Sequence, residues 1–169
     1  MTAPSTAPVP FRVGHGFDIH RFSDDADRRL VLGGVEFEGE PGLVGHSDAD
    51  AIAHAVIDAL LGAAGLGDIG QQFPDTDPSY AGADSIELLR RATAMVADAG
   101  WRVGNVDCSV ICERPKIAPK RELIHERLSA AVGAPVTVSG RRAEGLGAIG
   151  RIEGVACFAV AIVIASEHR

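Results

Sequence analysis

The stretch GVACFAVAIVIAS, Gly154 to Ser166, is the most apolar run of the chain, and its reading decides the fold. As a helix it is too short to cross a bilayer, which takes about 20 residues. Its valines and isoleucines suit a strand buried within a sheet. A buried strand needs strands beside it and a layer to cover it, and the rest of the chain carries both patterns. Strand signals lie near residues 11–17, 30–37, 101–113 and 135–139, and helix signals near 48–63, 84–99 and 119–132.

The first helix has Ser47 and Asp48 as cap candidates, followed by Ile52, Val56, Ile57, Leu60 and Leu61 at helical spacing. The second follows Asp84-Ser85 and stops at Gly100, a residue suited to a helix end. The third opens with Pro119, tolerated in a first turn, and ends near Gly133. Strands alternating with helices predict an α/β or α+β layer, one sheet with helices on a face. A chain of 169 residues makes one domain of this kind and can bury a substantial core. One connection carries neither period: Gly65 to Ala83, GLGDIGQQFPDTDPSYAGA, with Asp68, Asp75 and Asp77 in it. A loop of that length inside a compact domain is usually functional.

Composition narrows the function classes. Apolar residues make up 46% and charged residues 23%, the balance of a soluble globular protein. A net charge of -7 argues against nucleic acid or an anionic membrane as partner, since both need a basic footprint. Residues 1–10, MTAPSTAPVP, read as a disordered tail with neither a secretory nor a membrane signature. The odd set Cys108, Cys112 and Cys157 lacks C-x-x-C spacing, so the thiols read as reduced, buried and cytoplasmic rather than as zinc ligands.

Four constellations can carry chemistry. In GHGFDIH, Gly14 to His20, Asp18 and His20 share a parity, so a strand points both to one face. His15 falls on the other parity. A metal needs a third ligand. His54 on the first helix is the best candidate, with Asp50 one turn away to orient its ring and Asp58 as a second choice. The spacing alone leaves open a structural alternative, in which Asp18 and His20 cap a loop and His54 is a satisfied core histidine. HSDAD places His46 and Ser47 at a helix start, where anions are favoured, although an ordinary cap has the same pattern. ERPKIAPKR, Glu113 to Arg121, follows a strand and could hold a phosphate or a base through its backbone and Lys116, or be a solvated basic turn. RRAEGLGAIGRIEG, Arg141 to Gly154, sets Glu144 in a glycine-punctuated loop where a carboxylate could meet a cation or simply be solvated.

The order and wording of these segments resemble one family across nearly the whole chain, Phe11 to Ser166: the 2-C-methyl-D-erythritol 2,4-cyclodiphosphate synthases of the non-mevalonate isoprenoid pathway. The resemblance rests on GHGFDIH, GHSDADAIAHAVIDALLGAAGLGDIG, FPDTDP, GADSIELL, GNVD, RPKIAP and the GLG…GR.EG frame. It implies an α/β sandwich of the α+β class over residues 11–169, a mainly four-stranded sheet covered by helices on one face. It also implies a homotrimer with active sites between subunits. The family's zinc ligands fall on Asp18, His20 and His54. Its erythritol phosphate contacts fall on His46, Ser47, Asp68, Ile69, Gly70 and the Phe73–Asp77 loop, Asp75 included. Its cytidine pocket falls on Cys112 to Ala118, with Pro115 and Lys116 inside it, and Glu144 matches a magnesium or manganese ligand. The implied reaction closes 4-diphosphocytidyl-2-C-methyl-D-erythritol 2-phosphate into a cyclic diphosphate with loss of CMP. Arg151 and Glu153 match positions near the trimer axis, where a cavity could take an isoprenoid diphosphate, or where the two form a structural ion pair.

The sequence departs from the family at Arg141-Arg142-Ala143, where three threonines commonly precede the metal-binding glutamate. Arg142 stands where a threonine normally contacts the diphosphate. The arginine either clamps the diphosphate from a longer arm, or swings outward and weakens activity, or marks a chain that binds metal and nucleotide or isoprenoid diphosphate without cyclising. A zinc-dependent phosphohydrolase built on the same Asp/His/His set is the remaining enzymatic alternative. Ile152 replaces the glycine usual between Arg151 and Glu153, which narrows any axial cavity.

Overall fold

The computed structural model describes residues 10–166, so the proposed tail up to Val9 lies outside the described residues. The apolar run is strand β6 (Gly154–Ala165), paired on both sides within one mixed sheet. The order across the sheet is β1 (Phe11–Arg21), β6, β4 (Trp101–Ile111) and β5 (Val136–Arg141). β6 runs antiparallel to both neighbours, and β5 is parallel to β4. That pairing explains its composition, because a strand bonded on both edges has no polar backbone to offer water.

Three long helices cover one face: α1 (Ala51–Ala64), α3 (Ser85–Asp98) and α4 (Arg121–Val132). α1 is sandwiched between the sheet and the other helices and is buried nearly all round, with Leu60, Leu61 and Ile57 fully inaccessible. Each such side chain stabilises the fold by about 1.5–3 kcal/mol. α1 lies unusually close to β1. A Cβ built on Gly16 would stand 1.9 Å from the carbonyl oxygen of Ala55, and one on Gly14 would stand 1.9 Å from that of Ala59. Only glycine in the strand, facing alanines in the helix, allows this seam. No helix of the described residues is long and apolar enough to cross a membrane.

Four details differ from the sequence expectations. Residues 30–37 are not one strand but a hairpin of β2 (Val31–Leu32) and β3 (Val35–Glu36). Gly33 and Gly34 both have positive φ, +60° and +71°, the tight turn that matches strand twist. The cap of α1 is Asp50 rather than Ser47 or Asp48, because left-handed Ala49 (φ 58°) breaks the helical path before it. Pro119 lies in a short 3₁₀ turn, Ala118–Lys120, that precedes α4. The aperiodic Gly65–Ala83 connection holds the single-turn α2 (Ile69–Gln72) and a 3₁₀ turn at Pro78–Tyr80, too short to leave a period. All three cysteines are free and buried, as their pattern predicts. A single turn, α5 (Gly147–Gly150), leads into β6.

Candidate active site: a metal triad and two cavities at one end of the sheet

Asp18 and His20 close β1 on the face that α1 covers, and the Gly16–Ala55 seam brings His54 of α1 against them. His20 Nδ1 lies 2.7 Å from the carbonyl oxygen of Val44. A carbonyl only accepts, so Nδ1 carries a proton and Nε2 turns to the triad. His20 Nε2 and His54 Nδ1 stand 2.9 and 3.0 Å from Asp18 Oδ2, and 3.3 Å from each other. Three atoms able to ligate a metal therefore converge, held to Asp18 by ring protons that a cation would displace. Ligands held about 2.0–2.1 Å from a tetrahedral zinc ion lie about 3.3 Å apart, so the donor set fits such an ion with little movement. Burial opposes ionisation of Asp18, yet hydrogen bonds from His20 and His54 outweigh it and hold the carboxyl well below the usual carboxylate range. Burial also opposes the charged form of His20, and the Asp18 carboxylate overrides it to raise the imidazole pKa.

The Asp50 and Asp58 carboxylates act elsewhere. Asp50 accepts from the backbone N–H groups of Ile52, Ala53, Gly33 and Gly34, tying the hairpin to the start of α1. The ring of His54 is oriented by other groups. Asp58 accepts from Ile69 N at 2.8 Å and so anchors the long connection. His15 points to the opposite face of the sheet, toward Phe158.

A cavity of about 390 Å³ opens over the triad. Of the residues expected at the erythritol phosphate, His46, Ser47, Ile69, Gly70, Phe73 and Asp75 line it beside His20 and His54. Asp68 and Asp77 do not; their carboxylates cap α2 and the Pro78–Tyr80 turn. Asp77 still contributes its carbonyl oxygen, which accepts from His46 Nε2 at 3.2 Å. Tyr80, edge-on to Phe73, and Leu88 complete the wall and were not legible as site residues. Arg28 was missed as well. It donates to the carbonyls of Leu43, Gly45 and Ser47 and so fixes the segment that presents His46. No local motif marks an arginine that acts only on backbone 15 to 19 residues away.

A second cavity, of about 330 Å³, lies beyond the ends of β4 and β5. Cys112, Glu113, Pro115, Lys116, Ala118, Arg141 and Arg142 line it, together with Arg121. Ala143 and Glu144 are not on its wall. Burial, with the charges of Glu113 and Glu40 adding to it, pushes the Cys112 thiol up to about 11, so it is a neutral wall and not a nucleophile. Lys120 and Arg114 are engaged elsewhere, on the carbonyl oxygen of Glu36 and the carboxylate of Glu40. Arg142 donates through Nε and Nη2 to Glu113 Oε2, at 3.0 and 2.7 Å, and Gly145 N reaches the other oxygen. The Arg142 hydrogen bonds hold the Glu113 carboxyl below its ordinary range. Glu144, exposed and left-handed at φ 54°, belongs to no acidic cluster among the described residues. Arg151 and Glu153 pair with each other at 2.7 Å within the chain.

The registers put both cavities at the same end of the sheet but at opposite edges. His20 pairs with Val155, Ile111 with Ala156, and Arg141 with Ile111. Three strand spacings separate β1 from β5, about 14 Å at about 4.8 Å each.

The YgbB family model matches residues 11–164. A 2-C-methyl-D-erythritol 2,4-cyclodiphosphate synthase of Rubrobacter xylanophilus is 56% identical over 157 residues, covering 90% of this chain and 94% of that protein. A bifunctional enzyme IspD/IspF of Anaeromyxobacter dehalogenans is 54% identical over 92% of this chain, which spans only 40% of that longer protein. Among solved structures, the Plasmodium falciparum IspF in complex with CDP aligns with a TM-score of 0.82 and 33% identity, over 95% of this chain and all of that one. With a family match over residues 11–164, and a relative of like length at 56% identity, this chain belongs to the YgbB family.

Proposed function

We propose that the protein converts 4-diphosphocytidyl-2-C-methyl-D-erythritol 2-phosphate into 2-C-methyl-D-erythritol 2,4-cyclodiphosphate and CMP, as a phosphorus–oxygen lyase of the cytoplasm. The observation that carries the reading is the Asp18/His20/His54 triad, placed to hold a metal ion and opening into a cavity, in a chain whose relatives of like length are named for this synthesis. An oxygen of the 2-phosphate attacks the β-phosphorus, the bond from that phosphorus to the CMP oxygen breaks, and CMP departs with both electrons. The nucleophile is already anionic, so no general base is needed, and the protein acts by positioning and charge neutralisation.

His46, held by the Asp77 carbonyl, steadies the attacking phosphate, with Ser47, Ile69, Gly70, Phe73 and Asp75 enclosing the erythritol portion. Asp68 and Asp77 shape this wall through the turns they cap. Lys116, Arg141 and Arg142 supply positive charge around the nucleotide, whose base packs against Cys112, Pro115 and Ala118. Ala143 joins Arg142 to Glu144 at the rim. Asp18, His20 and His54 would hold zinc, which when bound would supply Lewis acidity toward a phosphate oxygen. A single carboxylate such as Glu144 fits magnesium or manganese only when phosphate oxygens complete the shell.

One chain's two cavities lie about three strands apart, which supports a homotrimer whose sites are shared by adjacent subunits. The helix-free face of the sheet supports it too, with Val13, Phe17, Ile19, Phe158 and Val160 between 41% and 61% exposed. An isoprenoid diphosphate could reach the axis near Arg151 and Glu153.

Incubation with the diphosphocytidyl substrate, zinc and magnesium, followed by phosphorus NMR, tests the reading. A cyclic diphosphate with stoichiometric CMP is expected, and none with His54→Ala. Ring-opened phosphates would indicate the phosphohydrolase; binding without turnover would indicate a non-catalytic member.

A further inference from the structure

The polar groups behind His54, on the side away from the triad, form a chain that no function so far requires. His54 Nε2 lies 2.9 Å from Ser85 Oγ and 3.1 Å from Ser47 Oγ. Ser85 is wholly buried, and its hydroxyl contacts Asp48 Oδ1 at short range. Asp48 also accepts from Ser85 N, 3.0 Å from Oδ2, and from Asp50 N, 3.2 Å from Oδ1. Both carboxylate oxygens are therefore engaged with donors.

Proton bookkeeping along this chain favours the one arrangement in which no two lone pairs face each other. An ionised carboxylate only accepts, so the single hydroxyl proton of Ser85 points at Asp48. The lone pairs of Ser85 Oγ are then left for His54 Nε2, which must supply the proton of that hydrogen bond. Ser47 Oγ already accepts from Ala49 N at 3.2 Å and shares the same Nε2 proton as a second, weaker acceptor. With one proton fixed on Nε2, the only proton a metal ion need displace from His54 is the one Nδ1 gives to Asp18, which leaves Nδ1 bare toward the triad. His20 reaches the same condition through the Val44 carbonyl acting on its Nδ1.

We propose that Asp48, acting through the buried hydroxyl of Ser85, is a positioning residue that keeps the His54 proton on Nε2 and thereby delivers Nδ1 to the metal triad. The inference rests on the triad taking a cation, but its proton placement is a property of the metal-free protein. Outer partners of this kind are worth about 10–100-fold in metal affinity. The device explains why the Asp48 side chain reaches to the first residue of α3. It ties the loop ahead of α1 to that helix and sets the tautomer at the same time.

The test uses metal-free full-length protein, ¹⁵N-labelled at histidine, at a fixed, mildly alkaline pH, compared with Asp48→Ala and Ser85→Ala. Long-range proton–nitrogen spectra report which ring nitrogen of His54 is protonated. In the parent, Nε2 is expected to carry a proton in essentially every molecule. Asp48→Ala frees the Ser85 hydroxyl to donate to Nε2, and Ser85→Ala leaves only Ser47, which can donate or accept, so both variants should populate His54 without a proton on Nε2. Zinc affinity, measured by competition with a chromophoric chelator, should fall 10–100-fold in both. Ser85→Ala retains the Asp84 cap of α3 and remains a test if Asp48→Ala does not fold. A bare Nε2 in the parent overturns the proposal, as does an unchanged Nε2 proton in every variant that folds. Failure of the parent to bind zinc would remove the metal reading while the nitrogen spectra still decided the relay.

Discussion

Gly16→Ala should uncouple the metal triad while leaving every ligand in place. The added Cβ would stand 1.9 Å from the Ala55 carbonyl oxygen and 2.8 Å from Ala59 N, both backbone atoms of α1 that no rotamer change can move. Reaching even the 3.0 Å limit of real contacts requires strand and helix to part by at least 1.1 Å, the difference between 3.0 and 1.9. Asp18 and His20 ride on the strand and His54 on the helix, so the triad opens by a similar distance. Metal–ligand distances tolerate only about 0.2 Å. Zinc affinity should therefore fall by at least the 100-fold at the top of the range for lost supporting contacts. Overpacking should cost about 1–3 kcal/mol, or about 2–12 °C in melting temperature for a chain of this size. Gly62→Ala is the matched control. It lies on the same helix, a Cβ there meets nothing within 4 Å, and helix propensity predicts about 1 kcal/mol of gain. Chelator competition and thermal unfolding of metal-free and zinc-loaded protein read both effects. A Gly16→Ala protein with parental zinc affinity would refute the view that this seam sets the site.

Asp50→Ala removes the cap of α1 and leaves the N–H groups of Gly33 and Gly34 without acceptors, so urea unfolding should record a loss of about 3–6 kcal/mol. Cys112, with its thiol pushed up to about 11, should resist iodoacetamide in the native protein at mildly alkaline pH and react once urea exposes it. If Arg142 clamps the diphosphate, Arg142→Thr should release CMP more slowly than the parent, and a large gain in rate would sink that role. Glu113→Gln loosens Arg142 and the Gly145 loop together and should raise KM more than it lowers kcat in the same CMP assay.

Much of the fold could be read from periodicity: each long helix and each strand of the main sheet falls where the apolar pattern places it. The misreadings were short elements. The Gly33–Gly34 turn interrupts a run too short to register as a hairpin, and single turns such as α2 carry no period. The α1 cap was misplaced because Ser47, Asp48 and Asp50 are equally good capping types, and only the left-handed Ala49 selects among them. Arg28, Tyr80, Leu88 and Ser85 were missed as contributors around the site because each acts across a tertiary gap.

Local sequence determined that Asp18 and His20 share a face, since strand parity is a covalent property of the backbone. It also determined that His54 sits on a helix rich in apolar residues and that the cysteines are buried. Which side chains meet was a tertiary matter. The triad exists because glycines in β1 let α1 approach within backbone contact. Its proton pattern exists because Val44, Ser85 and Asp48 arrive from three separate segments. Periodicity encodes the direction a residue faces, while distance and hydrogen-bond polarity depend on the packing of elements remote in the chain.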